Sequence, residues 1–153
     1  MLFRSHEPRR DRPPRRYGKI LIPVNGTEVS RRAAEIGLTL ARANDAQVTA
    51  LFVTRANGGD RKANSAARKR ATRRNERAIL KDIGALADRY DVDVRSTTLT
   101  NLTPGEAIIR EAKRGYDLVV LGVSRRPGET LFFGDTAASV LERSDTSNLF
   151  VAS

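Results

Sequence analysis

From residue 17 onward, short apolar runs alternate with stretches in which apolar residues recur at helical spacing. A short, largely branched apolar run bounded by turn residues is typical of a strand buried on both faces. The runs predict five strands, at 19–24, 48–53, 92–98, 117–122 and 149–151. The periodic stretches predict helices at about 30–44, 67–90, 103–115 and 136–143. Strict β-α alternation indicates an α/β fold, an open five-stranded parallel sheet with helices on both faces.

Local signals predict how three of these helices begin or end. Ser30 is predicted to cap the first helix, because a serine hydroxyl can accept a free backbone N–H at a helix start. Thr103-Pro104-Gly105-Glu106 predicts a capping box with proline at the first helical position. The helix that ends near Tyr90 has an apolar face only in its second half, so its first half is predicted to protrude or fray.

Charge is concentrated in two segments. The net charge is +10, of which residues 1–16 carry +4 and residues 55–77 carry +7, so the remainder is close to neutral. The Arg- and Pro-rich residues 1–16 have almost nothing to bury and are interpreted as a disordered tail or linker, which leaves residues 17–153 as the folded domain.

Composition excludes several classes of protein. Without cysteine the chain can form neither a disulfide nor a thiolate zinc site, and this fits a reducing compartment. No apolar run approaches the roughly 18 residues of a membrane span, and the N-terminus lacks the apolar stretch of a secretory signal. We therefore expect a cytoplasmic protein, either free or at the inner face of the membrane.

Ligands of open parallel sheets bind outside the carboxyl ends of the strands, where the strand order reverses. The loops concerned are Pro23 to Glu28 and Gly122 to Thr136. The sequence contains no Ser/His/Asp arrangement, no metal-ligand spacing and no carboxylate pair at an identifiable cleft, and its single histidine, His6, lies in the tail. We therefore predict no catalytic residues, no metal site and no enzymatic activity.

Three sequence blocks carry a family resemblance: KILIPVNGTEVSRRAAEIGLTLARA, LTPGEAIIREAKRGYDLVVLGVSRR and ETLFFGDTAASVLERSDTSNLFVAS. In this order they resemble the universal stress protein family over residues 17–153. The resemblance implies the strand order 3-2-1-4-5 and a homodimer formed through residues 148–152. In the nucleotide-binding members it also implies ATP held between the ends of the first and fourth strands. The first and last blocks are similar as well to cytoplasmic domains of bacterial cation/proton antiporters.

The resemblance also implies which residues would contact the adenosine part of a nucleotide. Pro23 and Val24 match the family's first strand, whereas Asn25 replaces the acidic residue that follows it. Asparagine retains an acceptor and adds donors, so contact with the ligand is still possible there, although Asn25 and Gly26 could equally form a simple turn. Val53 falls where the family places an apolar residue against the base.

The family's phosphate loop is matched only in part. Gly122 stands at its first glycine, Arg125 at its second, with Gly128 nearby, and Gly134 at its third, one residue early. Glycines suit such a loop because backbone amides can then approach phosphate closely, but turn geometry alone would also account for Gly122 and Gly134.

The end of this loop introduces charges that the family lacks. Asp135 occupies the position of a serine or threonine, and Thr136 follows it. A carboxylate there is predicted to cap the last helix rather than to act in catalysis, and it would repel phosphate. Arg125 and Arg126 could offset that repulsion by binding phosphate directly.

Two functions from different classes follow. The first is a regulatory, homodimeric nucleotide-binding domain of the stress-response type, with ATP, AMP or a cyclic nucleotide as its ligand and no obligatory cofactor. The second is a regulatory domain of a membrane cation/proton antiporter, or one docking on it, that acts through protein contacts with or without nucleotide. The basic segments Arg4–Arg16 and Arg68–Arg77 are either solvated or in contact with a transporter, an acidic partner or anionic lipid. The second segment lacks interleaved aromatics, which argues against nucleic acid.

Overall fold

The computed structural model describes residues 17–54, 65–124 and 134–152. The predicted tail, residues 1–16, and part of the basic segment 55–77 therefore lie outside the described residues. Helices and strands alternate throughout the described ranges, in the order β1 (Lys19–Val24), α1 (Glu28–Asn44), β2 (Gln47–Thr54), α2 (Ser65–Tyr90), β3 (Val94–Thr100), α3 (Pro104–Ala112), β4 (Leu118–Val123), α4 (Asp135–Arg143) and β5 (Ser147–Ala152).

The five strands form one parallel sheet in the order β3-β2-β1-β4-β5. The predicted fold class and strand order are thus confirmed. The apolar runs of β1 and β4 occupy central positions because both of their faces are covered, and all but one of the β4 residues are buried. The more polar β3 lies at one edge, as its sequence predicts.

Alternate side chains of β1 enter two separate cores. Ile20 and Ile22 pack with buried residues of α1 and α2 on one face of the sheet. Leu21 packs with residues of α3 and α4, among them Ile108 and Val140, on the other face. This division follows from right-handed crossovers, since the connections that lead from β1 toward β3 and those that lead from β3 to β5 cross the sheet on opposite faces.

Several predicted boundaries need correction. The third helix ends at Ala112 and not at Gly115, and the last strand begins at Ser147 and not at Leu149. Thr27, not Ser30, caps α1: the Thr27 hydroxyl accepts the Ser30 N–H at 3.2 Å, and Ser30 lies in the first turn of the helix. The third strand begins at Val94 instead of Val92, because Asp91 follows α2 in the left-handed region and Val92 packs into the core before the strand starts. The predicted capping box at Thr103 and Glu106 is confirmed.

The first half of α2 projects from the domain, as its sequence predicts. Every side chain from Ala66 to Asn75 is exposed, and the helix first reaches the core cluster at Ile79. A helix of 26 residues is about 39 Å long, whereas the eight residues of β2 span about 26 Å. None of the helices in the described ranges has both the length and the apolar character required to cross a lipid bilayer.

Candidate functional site

The sheet opens between β1 and β4 toward the carboxyl ends of the strands. Within these two fully described strands, β1 pairs with β4 at two positions, Ile20 with Leu118 and Leu21 with Val119, whereas it pairs with β2 along its whole length. Pro23, two residues after the last pair, has no amide proton with which to extend the ladder. Chain connections diverge from β1 and β4 in opposite directions, so this opening lies at the reversal of strand order where open α/β sheets bind ligands.

The turn after β1 forms one wall of the opening and is held by Asn25. Asn25 Oδ1 accepts hydrogen bonds from the Thr27 N–H at 3.0 Å and from the Thr27 hydroxyl at 2.7 Å. The Asn25 N–H in turn donates to Ser30 Oγ at 3.1 Å. An amide oxygen accepts two hydrogen bonds, so the carbonyl of this side chain is fully used and its Nδ2 group provides the remaining donors. The sequence was compatible with two roles for Asn25, a turn and a contact with the ligand. The structure shows the turn.

Gly26 connects this wall to the protruding helix. Its φ of +82° lies in the left-handed region, and a Cβ added there would come within 2.9 Å of Ile79 Cδ1. A side chain at residue 26 would therefore be both strained and crowded. Ile79 consequently lies level with the carboxyl edge of the sheet. Glu76, one turn earlier, still accepts a hydrogen bond from Thr98 of β3, and the α2 residues before Glu76 extend beyond that edge.

Gly122, near the end of β4, allows α1 to approach the sheet closely. A Cβ added at Gly122 would lie 2.5 Å from the Val29 carbonyl oxygen and 2.9 Å from the Ser30 nitrogen. Packing against the first turn of α1 therefore requires glycine here, whether or not a ligand binds. This second reason for the glycine could not be read from the phosphate-loop spacing.

The start of α4 presents backbone donors that its own N-cap residue does not cover. Gly134 is the N-cap residue, with φ of +96°, and as a glycine it has no side chain with which to cap the first-turn amides. The prediction that Asp135 caps this helix is therefore wrong: Asp135 is the first helical residue and its side chain is exposed. Glycine is favoured at residue 134 because the backbone is left-handed there, and its lack of a side chain leaves the first-turn amides available to an anion.

A groove of about 430 Å³ lies between the starts of α3 and α4. Asp135 and Thr136 line it from α4, together with Ser139 one turn later, and the capping box of α3 forms the other wall. No sequence signal pointed to Ser139. Its approach to α3 depends on Gly105, since a Cβ at Gly105 would lie 3.0 Å from the Ser139 Cβ.

The remaining predicted residues fall into two groups. Pro23 and Val24 end β1, and Val53 is a half-buried residue near the end of β2 that packs with the second core cluster; these do not line the groove but lie at the same edge of the sheet. Arg125, Arg126 and Gly128 lie outside the described residues. The structure therefore brings most of the predicted residues to one edge of the sheet without testing their contact with a ligand.

The titratable pair that is buried in the domain lies at the opposite edge of the sheet. The Tyr116 hydroxyl donates to Glu111 Oε1 at 3.0 Å, and Glu111 is buried. Burial raises the pKa of Tyr116 above its ordinary value of 10.0, and the hydrogen bond to Glu111 adds to the rise. No cluster of three or more metal-ligating side chains occurs among the residues that the structure describes.

Comparison with known proteins identifies a family whose members are similar to this chain. The sequence model of the universal stress protein family matches residues 16–152. Universal stress protein MJ0531 of Methanocaldococcus jannaschii is 25% identical over 139 residues, which cover 88% of this chain and 82% of that protein.

Solved structures show the same fold. A universal stress protein family member from Burkholderia pseudomallei superposes with a TM-score of 0.75 at 20% identity, covering 91% of this chain and 98% of that one. A universal stress protein in complex with cAMP gives a TM-score of 0.68 at 22% identity over 89% of this chain and 97% of that one. A universal stress protein family protein from Arabidopsis thaliana with AMP bound gives a TM-score of 0.64 at 20% identity, over 88% of this chain and 91% of that one.

Proposed function

The chain belongs to the universal stress protein family, and from that premise we propose that it is a regulatory domain that binds an adenine nucleotide at the opening between β1 and β4. The observation that carries the proposal is the two-position ladder between these strands, which leaves a crevice at the reversal of strand order. Solved relatives that share the fold hold cAMP or AMP.

The phosphate end of the ligand is assigned to the start of α4. An α-helix N-terminus carries partial positive charge and free amides, and the N-cap Gly134 places no side chain over them. Asp135 works against this attraction, but its exposure to solvent screens the repulsion. We therefore propose weak binding, with a dissociation constant of about 1 μM or higher, corresponding to about −8 kcal/mol at most. A nucleotide monophosphate brings less charge to Asp135 than ATP does.

The nucleoside end is assigned to the turn after β1. Because both acceptor sites of Asn25 Oδ1 are occupied by Thr27, Asn25 can offer a ligand only its Nδ2 donors. An acceptor on the ribose or base suits that group. Val53, half-buried at the end of the adjacent strand β2, is the proposed apolar contact for the base.

Calorimetry with AMP, cAMP and ATP tests the proposal. Asp135→Ser should tighten binding about fivefold, which corresponds to about 1 kcal/mol, because it removes a screened repulsion. Replacing Arg125 and Arg126 together by alanine should loosen it. The matched control is Asp145→Ser, which removes an equally exposed carboxylate from the end of the sheet remote from the opening and should leave binding unchanged.

Two outcomes would contradict the proposal. Absence of binding heat with all three nucleotides, in wild type and in Asp135→Ser alike, would favour a role exerted through protein contacts instead. Equal effects of Asp135→Ser and Asp145→Ser would show that overall charge, and not the start of α4, determines affinity.

Chromatography of the nucleotide after prolonged incubation tests the accompanying proposal that the ligand is bound without being hydrolysed. Stoichiometric conversion of the nucleotide to product would refute that proposal.

A further inference from the structure

One side of α2 presents a row of cations to solvent. At 100° per residue, six exposed side chains fall within an arc of about 140° and extend about 18 Å along the helix. We name this row the cationic stripe; it consists of Lys69, Arg70, Arg73, Arg74, Arg77 and Lys81. From its charge and its one-sided geometry we propose that the stripe docks the protein onto an anionic lipid surface.

Acidic residues of the same helix do not neutralise the stripe. Glu76 accepts a hydrogen bond from the Thr98 hydroxyl of β3, and Asp82 pairs with Arg31 of α1 at 3.2 Å. Both carboxylates are therefore directed toward the domain. In the described parts of the chain, no carboxylate oxygen lies within 4.0 Å of a cationic nitrogen of the stripe.

The folded domain gains little from these charges: among the stripe side chains, Arg70 Nε donates a hydrogen bond to the Ala66 carbonyl of its own helix at 3.4 Å, on the exposed surface. Like-charged pairs four residues apart, such as Lys69 with Arg73 and Arg70 with Arg74, destabilise a helix. The first turn of α2 contains no acid, so cations near the positive end of the helix dipole are also unfavourable. Since Ala66 to Asn75 are exposed on every side, packing does not compensate. An external polyanion would relieve both effects.

The position of the stripe suits a flat surface. Because Ile79 packs on Gly26 at the carboxyl edge of the sheet and Glu76 accepts a hydrogen bond from Thr98 of β3, the residues before Glu76 extend past the body of the domain. The stripe is centred about 140° around the helix axis from the side that carries Ile79, Ile83 and Leu86, although Leu80, near its carboxyl end, falls within its arc and packs against the core. A plane can therefore contact the long cationic side chains of Lys69, Arg70, Arg73 and Arg74, which lie in the part of the helix that is exposed on every side.

Several features favour lipid headgroups over nucleic acid. The stripe contains only lysine and arginine, which contact phosphate and can also bind guanine, whereas the residues that could distinguish other bases, Thr72 and Asn75, lie on the other side of the helix. It contains no aromatic side chain to stack on an unpaired base. The contacts that the stripe can make are therefore mainly with phosphate groups, and they lie on one side of the helix. An anionic membrane surface presents phosphate groups in this one-sided arrangement.

Sedimentation with vesicles of phosphatidylglycerol and phosphatidylcholine tests the proposal on the full chain. The stripe variant carries Lys69→Gln, Arg70→Gln, Arg73→Gln and Arg74→Gln. The control variant removes four exposed cations from other elements or faces and has the same net charge; it carries Arg32→Gln, Arg89→Gln, Arg95→Gln and Arg110→Gln. The stripe variant should lose about 100-fold in partition coefficient, whereas the control variant should lose less than about tenfold.

Changes of lipid, salt and polyanion distinguish binding to anionic lipid from non-specific binding and from binding to nucleic acid. Wild type should not bind vesicles of phosphatidylcholine alone, and about 1 M salt should release it from the anionic vesicles, since the Debye length is then about 3 Å. No binding to anionic vesicles, or equal losses in the two variants, would overturn the proposal. Tighter binding of wild type to duplex DNA or RNA than to the vesicles at the same ionic strength, abolished in the stripe variant, would replace lipid with nucleic acid. Circular dichroism should show the same helix content in all three proteins.

Discussion

Gly122→Ala is the substitution that most directly tests how the opening is built. The new Cβ would lie 2.5 Å from the Val29 oxygen, 2.7 Å from the Val29 carbonyl carbon and 2.9 Å from the Ser30 nitrogen. All three are backbone atoms, so no rotamer change relieves the contact. The first turn of α1 has to move by about 0.9 Å to restore an ordinary contact of 3.4 Å.

The size of the destabilisation follows from the fact that the new Cβ meets backbone atoms. Overpacking a well-filled interior costs about 1–3 kcal/mol, and a clash with a helix backbone belongs at the upper end of that range. Moving α1 also strains the hydrogen bond from the Asn25 N–H to Ser30 Oγ, which adds to the loss. We therefore expect the free energy of unfolding to fall by about 3 kcal/mol and Tm by about 6–12 °C.

Thermal melts followed by circular dichroism measure this effect, with Gly84→Ala as the matched control. Gly84 lies inside α2, and a Cβ added there meets nothing within 4 Å. Replacing glycine with alanine in a helix interior stabilises by about 0.5–1 kcal/mol, so this control should melt slightly above wild type. Were Gly122→Ala to melt within about 1 °C of wild type, the close approach of α1 to β4 would not be rigid, and this explanation of the glycine would fail.

Two further predictions concern other parts of the domain. Because burial raises the pKa of Tyr116, the stability associated with its neutral hydroxyl is present below pH 10 and is lost as the pH rises through the raised pKa. Tyr116→Phe should therefore melt lower at neutral pH, since Glu111 loses a hydrogen bond, yet lose less stability than wild type above pH 10; melting curves whose separation stays constant over that pH range would contradict this. We also propose that β5 pairs with its counterpart in a second copy, because Leu149 is 36% exposed on a strand whose described partner is β4 alone. Light scattering should give twice 16.9 kDa for wild type and 16.9 kDa for Leu149→Lys, and a monomeric wild type at micromolar concentration would refute the pairing.

Sequence pattern was sufficient for the architecture of this domain. The buried runs of β1 and β4 and the capping box at Thr103 depend on neighbours in the chain, so short-range spacing predicts them correctly. The protruding first half of α2 was likewise predictable, because its sequence lacks an apolar face and nothing elsewhere in the described structure supplies one. The three blocks that resemble the universal stress protein family then supplied the strand order.

Tertiary structure decided the details of the candidate site. Thr27 and Ser30 can both cap a helix, and the choice fell to Thr27 because the hydrogen bonds of Asn25 position it at the start of α1. Asp135 has the chemistry of a cap, yet it is displaced by one residue because the left-handed backbone at Gly134 makes the glycine the N-cap. These outcomes depend on backbone geometry and on contacts between residues distant in the chain, as does the separation of β1 from β4. Residue type and spacing indicate which interactions a side chain is able to make. Only the fold determines which of these interactions it does make.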